Sequence, residues 1–201
     1  MLASIHPLGE RARQNRWGLT VAAYTFASVM GGAAVGAGLG ALGWGAGRIW
    51  AAPAAARLGL VAAGVVAAAA WDLLSGRSLP PYRQVDEDWL ATYRGWVYGA
   101  GFGAQLGAGL TTIVTTALVP FVFLLTLVGG SASWGALVGA GFGASRAVPV
   151  LATRGLVTAP ALRGFHARMH ALYRPARLAA VGMSLGAVVA GTVAVVVGGA
   201  R

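Results

Sequence analysis

Two ionised side chains lie within long apolar runs of the sequence, and they are the first candidates for chemistry. Arg146 lies in the run 134–152, about eight residues from the arginine-rich segment that follows, or about 12 Å along a helix. Asp72 lies near the end of another apolar run. A charge at such depth in a membrane is costly and is usually paired or faces water. We predict an Arg146–Asp72 ion pair or a shared aqueous pocket. The alternative is that Arg146 reaches lipid phosphates, beside a bend at Pro149.

A polar stripe precedes Pro120 within the apolar run 96–128. Proline frees the carbonyl four residues earlier, here that of Thr116, and threonine hydroxyls can satisfy such groups. One interpretation is therefore a helix that is bent at the proline and whose freed carbonyl accepts a hydrogen bond from a threonine hydroxyl. The other is that Gln105, Thr112 and Thr116 share a face and bind a small polar solute. The stripe contains no acid, so it does not indicate a dedicated cation relay.

Other reactive groups are scarce. The chain has no cysteine, which excludes disulfides and thiolate chemistry by this chain alone. His166 and His170 have a spacing that can hold a metal on a helix, but no third ligand is evident. No nucleophile–base pair stands out either. We therefore expect neither a metal nor a cofactor, and we consider an enzyme the least favoured class.

The amino-acid composition indicates whether these residues belong to a soluble protein or to a membrane protein. The chain has 201 residues, of which 57% are hydrophobic and 10% charged, whereas an average soluble domain is about 25% charged. A soluble fold could not bury that much apolar surface. The sequence therefore predicts an all-α, polytopic membrane protein. The net charge of +10 is then explained by membrane orientation and contact with anionic lipids, and nucleic acid is not expected as a partner.

The apolar runs predict a single membrane domain, 1–201, with five transmembrane helices, or six if the glycine-rich segment 17–50 splits. The third run is too long for a straight span, so it is tilted, broken or folded as a hairpin. An amphipathic segment on the inner leaflet precedes the last span. The predicted spans are about 19–45, 58–74, 96–128, 134–152 and 178–197, and the interfacial helix is about 160–173.

Arginine positions predict the orientation. All 15 basic residues are arginine, which we interpret as the coding bias of a GC-rich bacterium. They concentrate in the segments 11–16, 77–94 and 154–177. The positive-inside rule then favours five spans, because a hairpin in the third run would place the richest of these segments outside. We expect a multi-pass protein of the bacterial plasma membrane, with a cytoplasmic N-terminus and an outer C-terminus.

Glycines recur at intervals of four in several spans. Such spacing forms a flat groove that lets two helix backbones approach closely, as in glycine zippers. The spacing predicts packing within the bundle, in a homo-oligomer or against partner membrane subunits; the other interpretation is breakable helices along a path. The sequence VGAGLGA at 35–41 returns as VGAGFGA at 138–144, and such internal repeats are typical of small transporters. The glycines concerned are Gly32, Gly36 and Gly40; Gly99, Gly103 and Gly107; and Gly135, Gly139 and Gly143.

The block 94–153 has a glycine-rich start, a threonine-rich middle, Pro120 and then GAGFGASRAVP. It resembles the bent helices of the CcdA/DsbD-like membrane proteins, which are grouped with LysE-type exporters. The resemblance implies inverted three-helix repeats with kinked helices. The redox members carry one cysteine in each repeat, and this chain has none, so no functional residue is carried over.

Two functions remain from these observations. The first is a small transporter or exporter that moves a small polar or anionic solute through helices bent at glycine and proline. The second is a non-catalytic subunit or assembly factor of a larger membrane complex.

Overall fold

The computed structural model describes residues 5–49, 53–74, 88–109 and 118–199, and every regular element within them is a helix. The predicted all-α class is confirmed for these residues. The elements are α1 (Pro7–Ala12), α2 (Trp17–Ile49), α3 (Ala54–Leu74), α4 (Trp89–Thr92), α5 (Gly95–Ala108), α6 (Leu118–Gly129), α7 (Ala132–Leu151), a 3₁₀ turn (Ala152–Gly155) and α8 (Ala159–Gly199).

Helices α2 and α7 lie against each other with their backbones in contact. A Cβ atom on Gly32 would collide with the carbonyl oxygen of Gly139, and one on Gly36 with that of Gly135. The same collisions occur in the reverse sense, from α7 onto α2. The numbers on one helix rise as those on the other fall, so the two helices are antiparallel. Only glycine permits this separation, because any larger residue would push the backbones apart.

The second face of α2 receives α5 in the same way. A Cβ on Gly103 would meet the carbonyl oxygen of Tyr24, and one on Gly107 that of Ser28. Here the numbers rise together, so α2 and α5 are parallel. Gly99 contacts the carbonyl oxygen of Thr20 and Gly143 that of Ser28. All six of the predicted packing glycines on α5 and α7 therefore lie at contacts with α2.

The third run, 96–128, contains two helices instead of one. Helix α5 ends at Ala108 because Gly109 takes up a left-handed conformation, with φ 68°. Helix α6 then continues along α2. Its Phe123 lies beside Gly109, while its Leu127 lies farther along, at Gly43. Of the three possibilities left open by the sequence, the structure has the break, and both pieces run in the same direction.

Helices α3 and α8 pack outside this core. Helix α3 lies against α6 and α8. The predicted interfacial helix 160–173 and span 178–197 form one continuous helix, which passes through Pro175. Proline lacks only one backbone donor, and no glycine or second proline lies nearby to end the helix. The two predicted segments are therefore joined in a single helix.

Among the described residues, two helical stretches are long and apolar enough to cross a membrane, Trp17–Arg48 and Ala132–Gly155. Both carry large apolar side chains on their outer faces; Phe26 is 70% exposed and Leu137 65%. Helix α2 is unbroken from Trp17 to Ile49, so the sixth span that a split in this segment would have produced is not formed. These features support membrane association.

Candidate functional site

The end of α5 is covered by two aromatic rings. A Cβ on Gly109 would lie 2.5 Å from Cζ of Phe123 and 3.2 Å from Cε1 of Phe142. The two ring centroids are 5.5 Å apart, with the edge of one ring toward the face of the other, a favourable aromatic geometry. Gly109 therefore meets two requirements at once, since its positive φ and the rings around it each exclude a side chain.

Arg146 lies next to this aromatic pair. It follows Phe142 by one helical turn, which places both side chains on the same face of α7. The carbon at the centre of its guanidinium group is 5.7 Å from the centroid of the Phe142 ring, within cation–π range. The Tyr24 hydroxyl of α2 donates to the Arg146 carbonyl oxygen at 3.5 Å. Helix α7 is thus held so that the cation lies over the ring.

The C-terminal end of α5 adds a partial negative charge, opposite in sign to that of Arg146. The last carbonyls of any α-helix lack partners within the helix and carry part of the negative end of its dipole. Here the Gly109 amide donates to the Leu106 carbonyl at 3.1 Å, which satisfies one of them. Gln105 lies one turn before the helix end and is half-buried. Guanidinium, aromatic rings and helix carbonyls can together bind the anionic, apolar and hydrogen-donating parts of a small molecule.

The structure separates the two charges that we expected to pair. Arg146 is on α7, at the site just described. Asp72 is on α3 and only 1% exposed, and α3 packs against α6 and α8. Within the described residues, these two side chains do not form an ion pair with each other. Thr112 and Thr116 lie outside the described residues, so their role stays a prediction.

The two prolines occupy different positions in their helices. Pro120 is the third described residue of α6. The Thr116 carbonyl that it was predicted to free lies outside the described residues. Pro149 is inside α7, which continues to Leu151. It leaves the Ser145 carbonyl without its usual helical donor.

Sequence reasoning missed the aromatic half of the site. Phe142 precedes Arg146 by four residues, and that helical spacing is a signal that could have been read. Phe123 carried no such signal, because its partner Gly109 is one of 32 glycines and nothing in its immediate sequence distinguishes it. The six glycines at the helix contacts were anticipated, whereas the glycine that ends α5 was not.

A second polar cluster, also missed, closes the N-terminal end of the bundle. The Glu10 carboxylate is fully buried and accepts hydrogen bonds from Arg13 at 2.9 Å, Thr20 at 2.8 Å and the Tyr98 hydroxyl. Burial would lower the pKa of Arg13, but its hydrogen bond to Glu10 raises that pKa above the ordinary value. The amide of Asn15 donates to the Tyr98 hydroxyl at 3.3 Å. This cluster fastens α1 to α2 and α5.

The available signal for this cluster was the start of α1. Pro7 occupies the first turn and the His6 ring caps the helix by accepting from the Gly9 amide. Proline at a helix start, followed by an acid in the first turn, is a known sequence signature. His166 and His170 lie on α8, and the described residues contain no group of three or more potential metal ligands.

No protein-family model, curated protein or solved structure matches this chain. Its resemblance to the CcdA/DsbD-like and LysE-type proteins stays a prediction. The function must therefore be inferred from the geometry of the site itself.

Proposed function

We propose that this chain is a multi-pass transporter of the bacterial plasma membrane that moves a small anionic or zwitterionic solute past the end of α5. The observation that carries the proposal is the helix end at Gly109, enclosed by Phe123 and Phe142 and adjoined by Arg146. The N-terminus is placed in the cytoplasm and the C-terminus outside, following the positive-inside rule.

The depth of the helix end supports this proposal. Gly107 lies beside Ser28 of α2, eleven residues after the start of α2 at Trp17. At helical rise this is about 16 Å, or roughly half of a hydrocarbon core about 30 Å thick. A non-helical backbone at that depth is tolerated where it is buried in protein or lines a water-filled cavity. Half-helix ends near the midplane are where many transporters bind their substrates.

The chemistry of the surrounding groups favours one class of solute. The Arg146 guanidinium binds a carboxylate or a phosphate oxygen through paired hydrogen bonds. The carbonyls at the end of α5 accept from an ammonium or hydroxyl group on the same solute. The two phenylalanine rings cover the space between them and exclude water. Passage then requires Phe123 and Phe142 to separate, and Gly109 is the flexible point beside them.

Transport into vesicles tests the proposal. The purified chain is reconstituted into liposomes, and uptake is followed for a panel of radiolabelled amino acids, small carboxylates and inorganic phosphate. Replacing Arg146 by Ala removes a charged hydrogen-bond partner worth about 1.5–3 kcal/mol, so we expect uptake to fall about tenfold or more. Arg146→Lys should retain part of it. Arg163→Ala on the exposed start of α8 is the matched control.

Two results would overturn transport. One is uptake of the whole panel at the rate of empty vesicles. The other is an Arg146→Ala protein that is as active as the unmodified chain, or no more impaired than Arg163→Ala.

A specific observation favours the second candidate, a subunit of a larger membrane complex. Gly182 and Gly186 form a small-residue face on α8, and no described residue lies within 4 Å of the position that a Cβ would take at either. Native mass spectrometry of the protein extracted gently from its own membranes distinguishes the two candidates. A reproducible mass increment from other polypeptides would indicate a subunit, and the chain alone or as a homo-oligomer would favour the transporter.

A further inference from the structure

A groove runs between the beginning of α2 and the end of α7, on the outer surface of the bundle. Its volume is about 670 Å³. Its walls are mostly apolar, and they include Trp17, Val21, Thr25, Phe26, Leu151 and Arg154. It is separate from the site at Gly109, because none of the residues of that site lines the groove. The groove opens to the surroundings of the bundle at the proposed cytoplasmic end.

Polarity changes along the groove. Arg154 follows α7 and is exposed, and it shares one end of the groove with Trp17, the first residue of α2. Phe26 lies nine residues farther along α2, or about 13 Å deeper. The lining therefore passes from a cation and an indole to apolar side chains. An amphiphile with an anionic head and a hydrocarbon tail has the same order of groups.

Two side chains in the groove lack hydrogen-bond partners. Nε1 of Trp17 and Oγ1 of Thr25 are buried atoms with no partner among the described residues. Buried donors are nearly always satisfied in native proteins, because an unsatisfied one has lost its hydrogen bonds to water without gaining others. Both side chains line the groove, and Trp17 is at the same end as Arg154. A bound molecule with acceptor oxygens at that end would satisfy Nε1 of Trp17 after a small side-chain adjustment.

We infer that this groove binds a single anionic phospholipid. The phosphate lies at Arg154, the glycerol and ester oxygens lie near Trp17, and one acyl chain follows Thr25, Phe26 and Leu151. A defined site of this kind goes beyond the general attraction of arginine-rich segments to anionic membranes. The inference rests on the membrane insertion proposed above and does not depend on transport.

Native mass spectrometry of the full chain in detergent tests it, by titration with phosphatidylglycerol, phosphatidylcholine or inorganic phosphate. Arg154→Gln removes a charge worth about 1 kcal/mol at a membrane surface, so affinity for phosphatidylglycerol should fall about fivefold. Gly18→Leu should fill the groove and abolish the bound lipid. No described residue lies within 4 Å of a Cβ at Gly18, so the fold should tolerate the change, which circular dichroism checks.

Each variant has a matched control. Arg163→Gln removes the same charge outside the groove. Gly38→Leu adds the same side chain to α2 at a position that is also open. Both controls should bind phosphatidylglycerol as the unmodified chain does, and phosphatidylcholine should bind more weakly than phosphatidylglycerol in all cases.

Several results would overturn the lipid site. These are an Arg154→Gln protein with unchanged affinity, a loss of equal size in Arg163→Gln, or equal binding of the two lipids. Competition by inorganic phosphate alone would show a site for free anions instead. Extraction of membranes with alkaline carbonate reports separately on insertion, and a failure of vesicle transport leaves the lipid titration unaffected.

Discussion

Helices α2, α5 and α7 and helices α3 and α8 are packed by different means. In the first group, glycines such as Gly32 and Gly139 bring backbones into contact. In the second group, apolar side chains are buried, with Val65 and Val181 at 3% and 4% exposure. Glycine spacing does not by itself decide which packing forms, because Gly182 and Gly186 have the same spacing and no described neighbour at that distance.

In the membrane location that we propose, the difference follows from the driving forces available in lipid. Apolar side chains gain little there from leaving one apolar environment for another, so close van der Waals contact and weak Cα–H···O hydrogen bonds contribute more. Backbone contact between α2 and its neighbours provides both. It also means that a larger side chain at these glycines would disrupt the first group. On α8, the positions of Gly182 and Gly186 are open and have room for a side chain.

The largest effect is expected at the centre of the α2–α7 contact. Gly139→Leu places a side chain against the Gly32 carbonyl, and no rotamer change relieves a clash with backbone. We expect a loss on the order of 5 kcal/mol, which a protein of ordinary stability does not survive. Unfolding in detergent measures it. Gly141→Leu on the same helix and Gly182→Leu on α8 are open positions and should change stability by about 0.5 kcal/mol or less. Equal behaviour of the three variants would refute the contrast between the two groups.

A smaller loss is expected where the first group is closed by polar contacts. Glu10→Ala leaves Arg13 near the interior without its ion-pair partner, and breaking a buried pair from one side costs about 3 kcal/mol. Glu10→Gln keeps acceptors for Thr20 and should cost less. Arg11→Ala, on an exposed neighbour, serves as the control. Chemical unfolding that gives all three variants the same stability would show that the cluster does not hold α1.

The smallest effect on stability, though not on transport, is expected at the break itself. Gly109→Ala must adopt a left-handed conformation, which costs about 1–2 kcal/mol, and must displace the Phe123 ring. Gly130→Ala incurs the strain alone, since its φ is 57° and the nearest atoms to its Cβ are 3.6 Å away. Thermal unfolding should show a loss of stability for both variants, larger for Gly109→Ala because of the ring, while vesicle uptake should fall only for Gly109→Ala. Uptake that falls equally in both would place the effect outside the aromatic pair.

Local sequence was sufficient for the helices themselves. Long apolar runs predicted α2 and α7, because nothing in them interrupts helical hydrogen bonding, and the Gly-x-x-x-Gly spacing predicted which faces are flat. It was not sufficient for α8, where Tyr173–Arg177 contains a change of polarity and a proline but no change of backbone conformation. We interpreted the change of polarity there as the boundary between two helices, whereas the helix continues through it.

Only part of the candidate site could be predicted from the sequence. Arg146 stands out because a charge in an apolar run is costly. Its expected partner Asp72 is distant in sequence, and so is Phe123, whose ring packs on Phe142. Only the pairing of helices decides which distant groups come close. Glu10 was missed for the same reason, since Tyr98 lies 88 residues away.

The contacts of Ser28 affect how the protein assembles during its synthesis. Its carbonyl oxygen is the contact point for both Gly107 and Gly143, and its hydroxyl donates to the Gly143 carbonyl, 115 residues away. Ribosomes add about 5–20 residues per second, so α2 exists for seconds before either partner has been synthesised. Its two flat faces are open to a neighbouring nascent copy throughout that interval. Slower translation should therefore increase mispaired oligomers, and earlier arrival of α5 should suppress them.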